Sequence, residues 1–313
     1  MTRPSWDQRI ERARELAAAC PFAAEVLLFY AKLTAFQKRV YSHLQSARGA
    51  AVRNTEATTP FASLRAGLPP EPDERAWAAL LPMFQPFLAL VAREGPAPLA
   101  AFAGDLSQRG SGACAGLLRS LWLGRGEVGA PPSLRSGQAL VGARAPASYA
   151  TSSQVAPAEQ PARRACERFC AQAFLQPYTE FLAGHAQAPA PSLRRPLCPY
   201  CGSPPLVGVL RREGDGAKRS LVCSRCRTEW DYLRLACPAC EEWREEKLCV
   251  YTAPQFEHVR VEACESCRTY LKTVDLTRNG LAIPEVDELA AVPLTLWADE
   301  NGYQKLSRNT LDL

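Results

Sequence analysis

Histidine is scarce in this chain of 313 residues, occurring only as His43, His185 and His258. No H-E-x-x-H run is present, which excludes a zincin-type centre. A Walker A loop, a dinucleotide glycine fingerprint and a G-x-S-x-G elbow are also missing, and with them the common nucleotide-dependent and serine-hydrolase chemistries. No run of about 18 apolar residues occurs, so no membrane span is expected. The opening residues, 1–15, are charged and lack the apolar core of a signal peptide. A cytoplasmic location is the resulting expectation. Iron–sulfur spacing of the C-x-x-C-x-x-C kind is absent as well, which favours mononuclear sites over clusters.

Cysteine, by contrast, is abundant: there are 13, and nine of them fall between Cys198 and Cys267. Hydrophobic residues make up 47% of the chain and charged residues 22%, an ordinary globular balance for about two domains. Net charge is +5. Residues 1–193 hold 20 basic and 14 acidic side chains, and residues 194–313 hold 17 and 18. The cysteine-rich half is therefore the less basic one. That argues against a nucleic-acid reader, which concentrates positive charge on its binding module.

Residues 6–48 read as helical, with Val26, Leu27, Tyr30, Leu33, Phe36, Val40 and Leu44 recurring at three- and four-residue steps. Pro21 suits a first helical turn. A second helix is expected from about residue 72, broken or kinked at Pro82 and Pro86, and shorter ones at 97–106 and 113–123. In the last of these Leu117, Leu118, Leu121 and Trp122 are expected to be buried. Residues 129–161, rich in Ala, Pro, Ser and Gly, read as a flexible or extended connector or a long surface excursion. A further helix is expected at 162–184, and a proline-bearing linker at 186–196 marks the domain boundary. Beyond it come short strand candidates at 206–210, 220–222, 229–235, 247–251, 257–262 and 269–276, with Gly214-Asp215-Gly216 as a hairpin turn. Residues 284–303 resemble one amphipathic helix interrupted by Pro293. The fold class is α+β, with domains at 1–190 (helical), 191–236 (first metal-binding module) and 237–313 (second module plus C-terminal helix).

Four C-x-x-C pairs stand in order: Cys198/Cys201, Cys223/Cys226, Cys237/Cys240 and Cys264/Cys267, separated by 21, 10 and 23 residues. Two long gaps around a short one describe a duplicated unit of pair, hairpin, pair. The two-residue spacing lets both sulfurs of a tight turn face one cation, and four thiolates complete a tetrahedral shell for Zn²⁺ or mononuclear iron. The simplest grouping is Cys198, Cys201, Cys223 and Cys226 at one site, and Cys237, Cys240, Cys264 and Cys267 at the other. Gly202 follows the first pair and accepts positive φ; Arg227, Glu241 and Arg268 follow the others and depart from that pattern. Metal binding would supply folding energy that a small ribbon lacks. Cys20, Cys114, Cys166, Cys170 and Cys249 read as structural thiols, and His258 lies outside ligand spacing. Tyr200, Trp230, Tyr232 and Tyr270, beside the ligands, are candidate partner-contact residues, with packing of the ribbon cores as the competing role of Trp230.

The stretches CPYCGSPP at 198–205, CSRCRTEWDYLRLACPAC at 223–240, VEACESCRTYLK at 261–272 and DELAAVPLTLWADENGY at 287–303 resemble the formate dehydrogenase accessory (formation) protein family, FdhE. LQPYTEFLA at 175–183 fits too, and residues 20–48 fit more loosely. The resemblance implies a helical N-terminal domain and two rubredoxin-like modules, with two metal ions, iron preferred and zinc possible. It also implies a cytoplasmic, non-catalytic chaperone for maturation of respiratory formate dehydrogenase. Its partner would be the molybdenum-containing catalytic subunit, bound through the eight paired cysteines before export. Two other classes compete with it: a zinc-ribbon nucleic-acid binder, and a thiol-redox or sulfur-transfer protein.

Overall fold

The computed structural model describes residues 3–51, 72, 74–122, 160–186 and 195–311; most of the connectors expected at 129–161 and 186–196 lie outside these. The N-terminal half is helical. Helix α1 (Trp6–Ala19) starts at Ser5, whose hydroxyl accepts from the Gln8 N–H at 3.2 Å while the Gln8 side chain accepts from the Ser5 N–H at 2.8 Å, a reciprocal cap. Pro21 opens a single 3₁₀ turn, Pro21–Ala23, rather than α2 itself (Ala24–Ala51). Helices α4 (Ala97–Gln108), α5 (Gly110–Trp122) and α6 (Gln160–His185) follow the expected pattern. Leu118 is fully buried and Leu117 partly so; the side chains of Leu121 and Trp122 lie outside the described set.

Helix α3 (Glu74–Glu94) runs unbroken through Pro82 and Pro86, so of the two expected effects of these prolines a break is corrected. Each proline removes one backbone donor, but Trp77, Leu80, Phe84, Phe87, Leu88 and Val91 are buried along one face, and that packing outweighs the loss. Phe84 and Phe87 meet Phe174 of α6 with ring centroids 4.8 and 5.4 Å apart. By length and composition α3 is the one described helix able to cross a membrane. Its apolar face is instead spent on neighbouring helices.

The second half is one sheet. Strands β1 (Pro205–Glu213), β2 (Gly216–Cys223) and β3 (Glu229–Asp231) form the first unit, and β4 (Leu248–Thr252), β5 (Val259–Cys264) and β6 (Thr269–Asp275) the second. Strand order is β3-β2-β1-β6-β5-β4. Within each unit the neighbours are antiparallel; between units β1 and β6 run parallel, with Gly208 opposite Thr273 and Leu210 opposite Asp275. The two expected modules are thus two halves of a continuous sheet. A side chain at Gly208 would put its Cβ 2.3 Å from the Thr273 hydroxyl, so glycine is what admits β6 here. The Gly214-Asp215 turn joins β1 to β2, with Gly214 at φ 56. Residues 229–235 shorten to a three-residue strand. The tail divides at Ala291 into α7 (Pro284–Ala290) and α8 (Val292–Glu300), with Pro293 in the first turn of α8, before β7 (Gln304–Lys305) joins the edge of β6.

Helices and sheet meet in a buried ionic seam. Arg9 of α1 donates to both carboxylate oxygens of Glu180 in α6, at 3.0 and 3.1 Å, and its Nε lies 2.9 Å from Glu285 in α7. Arg12 and His258 converge on Asp287, at 2.6 and 2.8 Å. Each buried charge in this seam is matched, which is the condition for tolerating it.

Candidate metal centres

Strand directions bring the cysteines together. One pair of each unit precedes an outgoing strand, β1 or β4, and the other lies between a returning strand and the next outgoing one, β2–β3 or β5–β6. With β1 and β6 parallel, all four turns fall at the same end of the sheet. They close into two quartets: Cys198, Cys201, Cys223 and Cys226, and Cys237, Cys240, Cys264 and Cys267, with the sulfurs of each within 4.8 Å of one another. The simplest sequence grouping is the one the chain adopts.

Sulfur separations are 3.3–3.6 Å in the first quartet and 3.7 Å in the second for the closest pairs. A disulfide would need about 2.05 Å. A tetrahedron with metal–sulfur bonds of about 2.3 Å has edges of about 3.8 Å. The quartets therefore have the dimensions of a four-thiolate shell, the second closely and the first slightly contracted. Either could hold one ion, and a tetrahedral sulfur set suits zinc and iron alike.

The four turns share one backbone. The residue after each second cysteine is left-handed: Gly202 at φ 65, Arg227 at 55, Glu241 at 60 and Arg268 at 56. The N–H groups of Gly202, Glu241 and Arg268 return to the carbonyl of the first cysteine at 2.8–2.9 Å. Cys198, Cys223 and Cys237 donate their own N–H to the carbonyl two places past the pair, those of Ser203, Thr228 and Glu242. That geometry aims backbone N–H groups at sulfur: those of Arg225 and Cys226 lie 3.3 and 3.4 Å from Cys223 Sγ, and that of Ala239 lies 3.4 Å from Cys237 Sγ. Such donors favour thiolate. The sequence departures at 227, 241 and 268 therefore change the residue and keep the conformation.

Thiol acidities diverge within each quartet. Burial pushes Cys198 and Cys223 up, while hydrogen bonds from neighbouring thiols pull Cys201 down. In the second quartet the Cys237 thiol brings Cys267 down to about 4, and burial takes Cys240 up to about 12. Each cluster thus favours thiolate at one sulfur, and a divalent cation would displace the remaining protons. The first quartet is wholly buried, whereas Cys240 and Cys267 of the second are half-buried.

The first quartet is also anchored to the helical half. Arg227 donates to the carbonyls of Cys223 and Ser224 at 3.3 and 2.6 Å, and reaches Gln176 of α6 at 3.3 Å and Thr310 at 2.6 Å. The Thr179 hydroxyl of α6 donates to the Arg225 carbonyl at 3.2 Å. The sequence marks Arg227 only as a departure from glycine after the second cysteine, and its role as a joint to α6 is what the structure adds. Arg268 instead stacks on Tyr303, 4.0 Å from the ring centre, and pairs with Glu265 at 2.7 Å.

Remaining candidates stand elsewhere. Trp230, Tyr232 and Tyr270 are buried, Trp230 donating to the Arg195 carbonyl at 2.8 Å. Trp230 and Tyr270 pack into the apolar clusters of the sheet half. Tyr200 is half-buried. Cys114 and Cys170 are buried in the helical core, Cys20, Cys166 and Cys249 are half-buried, and none of the five joins a ligand cluster among the described residues. His258 binds Asp287, and His185 lies 2.8 Å from the Phe181 carbonyl.

Comparison with known proteins agrees with this architecture. Residues 197–234 match the model of the FdhE central domain and residues 221–311 that of the FdhE C-terminal domain. A protein FdhE homolog of Aquifex aeolicus is 33% identical over 144 residues, 45% of this chain and 50% of that protein. One of Pseudomonas aeruginosa is 38% identical over 125 residues, 37% of this chain and 40% of that protein. The chain thus spans half or less of the curated relatives it matches. The crystal structure of the FdhE protein from Pseudomonas aeruginosa superposes with a TM-score of 0.64 at 24% identity, covering 99% of this chain and 97% of that one. The fold is shared with that protein, and residues 197–311 of this chain match the FdhE central and C-terminal domain models.

Proposed function

We propose that this chain is an assembly factor for respiratory formate dehydrogenase, which holds the enzyme's catalytic subunit in the cytoplasm before export and catalyses no reaction itself. The observation that carries the reading is the pair of four-sulfur clusters at one end of a single sheet. Cys198, Cys201, Cys223 and Cys226 would hold one ion, and Cys237, Cys240, Cys264 and Cys267 the other, with iron preferred to zinc. Bound ions would lock the turns that carry the client-facing end, and Tyr200 would add aromatic contact area there. Similarity of residues 197–311 to the FdhE domains, together with the sequence resemblance, supports this choice of client.

The test is anaerobic purification of the full chain with metal analysis and an absorption spectrum, followed by capture of the catalytic subunit. Two metal equivalents are expected, falling to one in Cys223→Ser and one in Cys264→Ser, with capture weakened in both. Failure of the metal-loaded chain to retain the catalytic subunit would sink the proposal.

A further inference from the structure

The two halves of the sheet are related by repetition, and one strand lacks the neighbour that its counterpart has. Counting back from the ligand cysteines, Pro205 pairs with Cys223 as Leu248 pairs with Cys264. The next positions correspond as Val207 with Cys249, Gly208 with Val250, Val209 with Tyr251 and Leu210 with Thr252. In β1 the last three of these receive β6 as a parallel neighbour. In β4 the equivalent stretch, 250–252, has β5 on one side and no strand on the other among the described residues.

Sheet edges are normally blunted by brevity or charge. Strand β3, at the other edge, has three residues, two of them Glu229 and Asp231. Strand β4 reads LCVYT, without a charge or a proline, and Val250 is 53% exposed. It is the unguarded edge.

A cavity of about 160 Å³ opens beside it, lined by Val250 and Leu235 and floored by the Cys237–Ala239 turn. Cavities of about 150 Å³ accept a benzene ring, so one large apolar side chain fits. Arg219, Arg234 and Arg260 line the same cavity with a single carboxylate, Glu262. Glu262 is shared by Arg219 and Arg260, each at 2.6 Å, whereas Arg234 donates to the Ala217 carbonyl at 3.0 Å. The site keeps a surplus of positive charge. Val250 and Glu262 are directly paired and so share a face of the sheet, the face on which alternate side chains of an added strand would fall.

We propose that the free edge of β4 takes an extended segment of client polypeptide as a parallel strand, one apolar side chain entering the cavity and a carboxylate two residues away meeting Arg234 and Arg260. This deepens the assembly-factor reading and rests on it for the identity of the client. Strand addition supplies backbone hydrogen bonds, and the cavity and arginines supply selectivity.

Two measurements on the full, metal-loaded chain test it. The first is capture of the catalytic subunit by wild type and by Val250→Lys and Arg234→Glu, both changes at exposed positions, with metal content checked. The second is fluorescence anisotropy with labelled peptides TLTETLT and TLTKTLT, which place Leu and the charged residue on one face. Expected are saturable binding of TLTETLT, at least tenfold weaker binding in Val250→Lys, and a preference reversed toward TLTKTLT in Arg234→Glu. Capture should fall at least tenfold in Val250→Lys. Undiminished capture by both variants would overturn the inference and leave the assembly reading standing. No capture by wild type would remove the assembly reading, and the peptide result would then decide the edge site alone: no binding, or equal binding of both peptides, rejects it. Concentration-dependent self-association abolished by Val250→Lys would assign the edge to a second copy of this chain and reject the client.

Discussion

Glu241 holds φ 60 without a glycine's freedom and is exposed at the end of its turn. A side-chain-bearing residue there costs about 1–2 kcal/mol, and glycine returns about 0.4–1 kcal/mol of that as unfolded-chain entropy. Glu241→Gly should therefore stabilise the protein by about 0.5–1 kcal/mol with unchanged metal content, read from chemical unfolding. Glu288 makes the opposite case. Burial pushes its carboxyl up, but Lys272, at 3.0 Å, and Lys305 hold it down at about 2. A carboxyl so depressed contributes stability that is present above its unfolded pKa near 4.3 and lost as pH falls toward 2. Urea titrations from pH 6 to 2 should show that loss, of about 3 kcal/mol. Glu288→Gln should be less stable at neutral pH, because two buried ammonium groups lose their counter-charge, and should lack this acid-linked decline.

Among the elements, α3 is the clearest conflict between local preference and packing. Pro82 and Pro86 are both exposed inside a continuous helix. Pro82→Ala should restore a backbone donor at no packing cost and raise stability by about 1–2 kcal/mol, measured as a higher melting temperature. A helix that broke at residue 82 would show no gain. Periodicity sufficed to read α1, α2, α4, α5 and α6, and turn chemistry to read the Gly214-Asp215 hairpin, because those signals are local. Sulfur grouping was legible for the same reason, since paired spacing and repeated gaps are local too. The β1–β6 junction and the edge position of β4 were not legible. Each depends on which distant strand arrives alongside, and no short window of sequence encodes that. Arg227 illustrates the limit, since its position in the turn is local but its partners Gln176 and Thr310 are remote.

Across the whole molecule the quartets have unequal duties. The first is tied through Arg225 and Arg227 to α6, whereas Arg268, the equivalent residue of the second, bonds to Glu265 and the Asn301 carbonyl within the sheet half. Loss of the ion from the first should loosen the turn that grips α6. Hydrogen exchange on the full chain should therefore show faster exchange at 176–183 in Cys223→Ser, and wild-type rates there in Cys264→Ser. Equal protection in both variants would mean that the Arg9–Glu180–Glu285 seam holds the halves together unaided. Because all four C-x-x-C turns lie at one end of the sheet, the opposite rim, where Gly214 and Asp215 reverse the chain, carries none of the cluster cysteines. A reporter dye or affinity handle grafted at that hairpin would watch or retrieve the protein without disturbing either cluster.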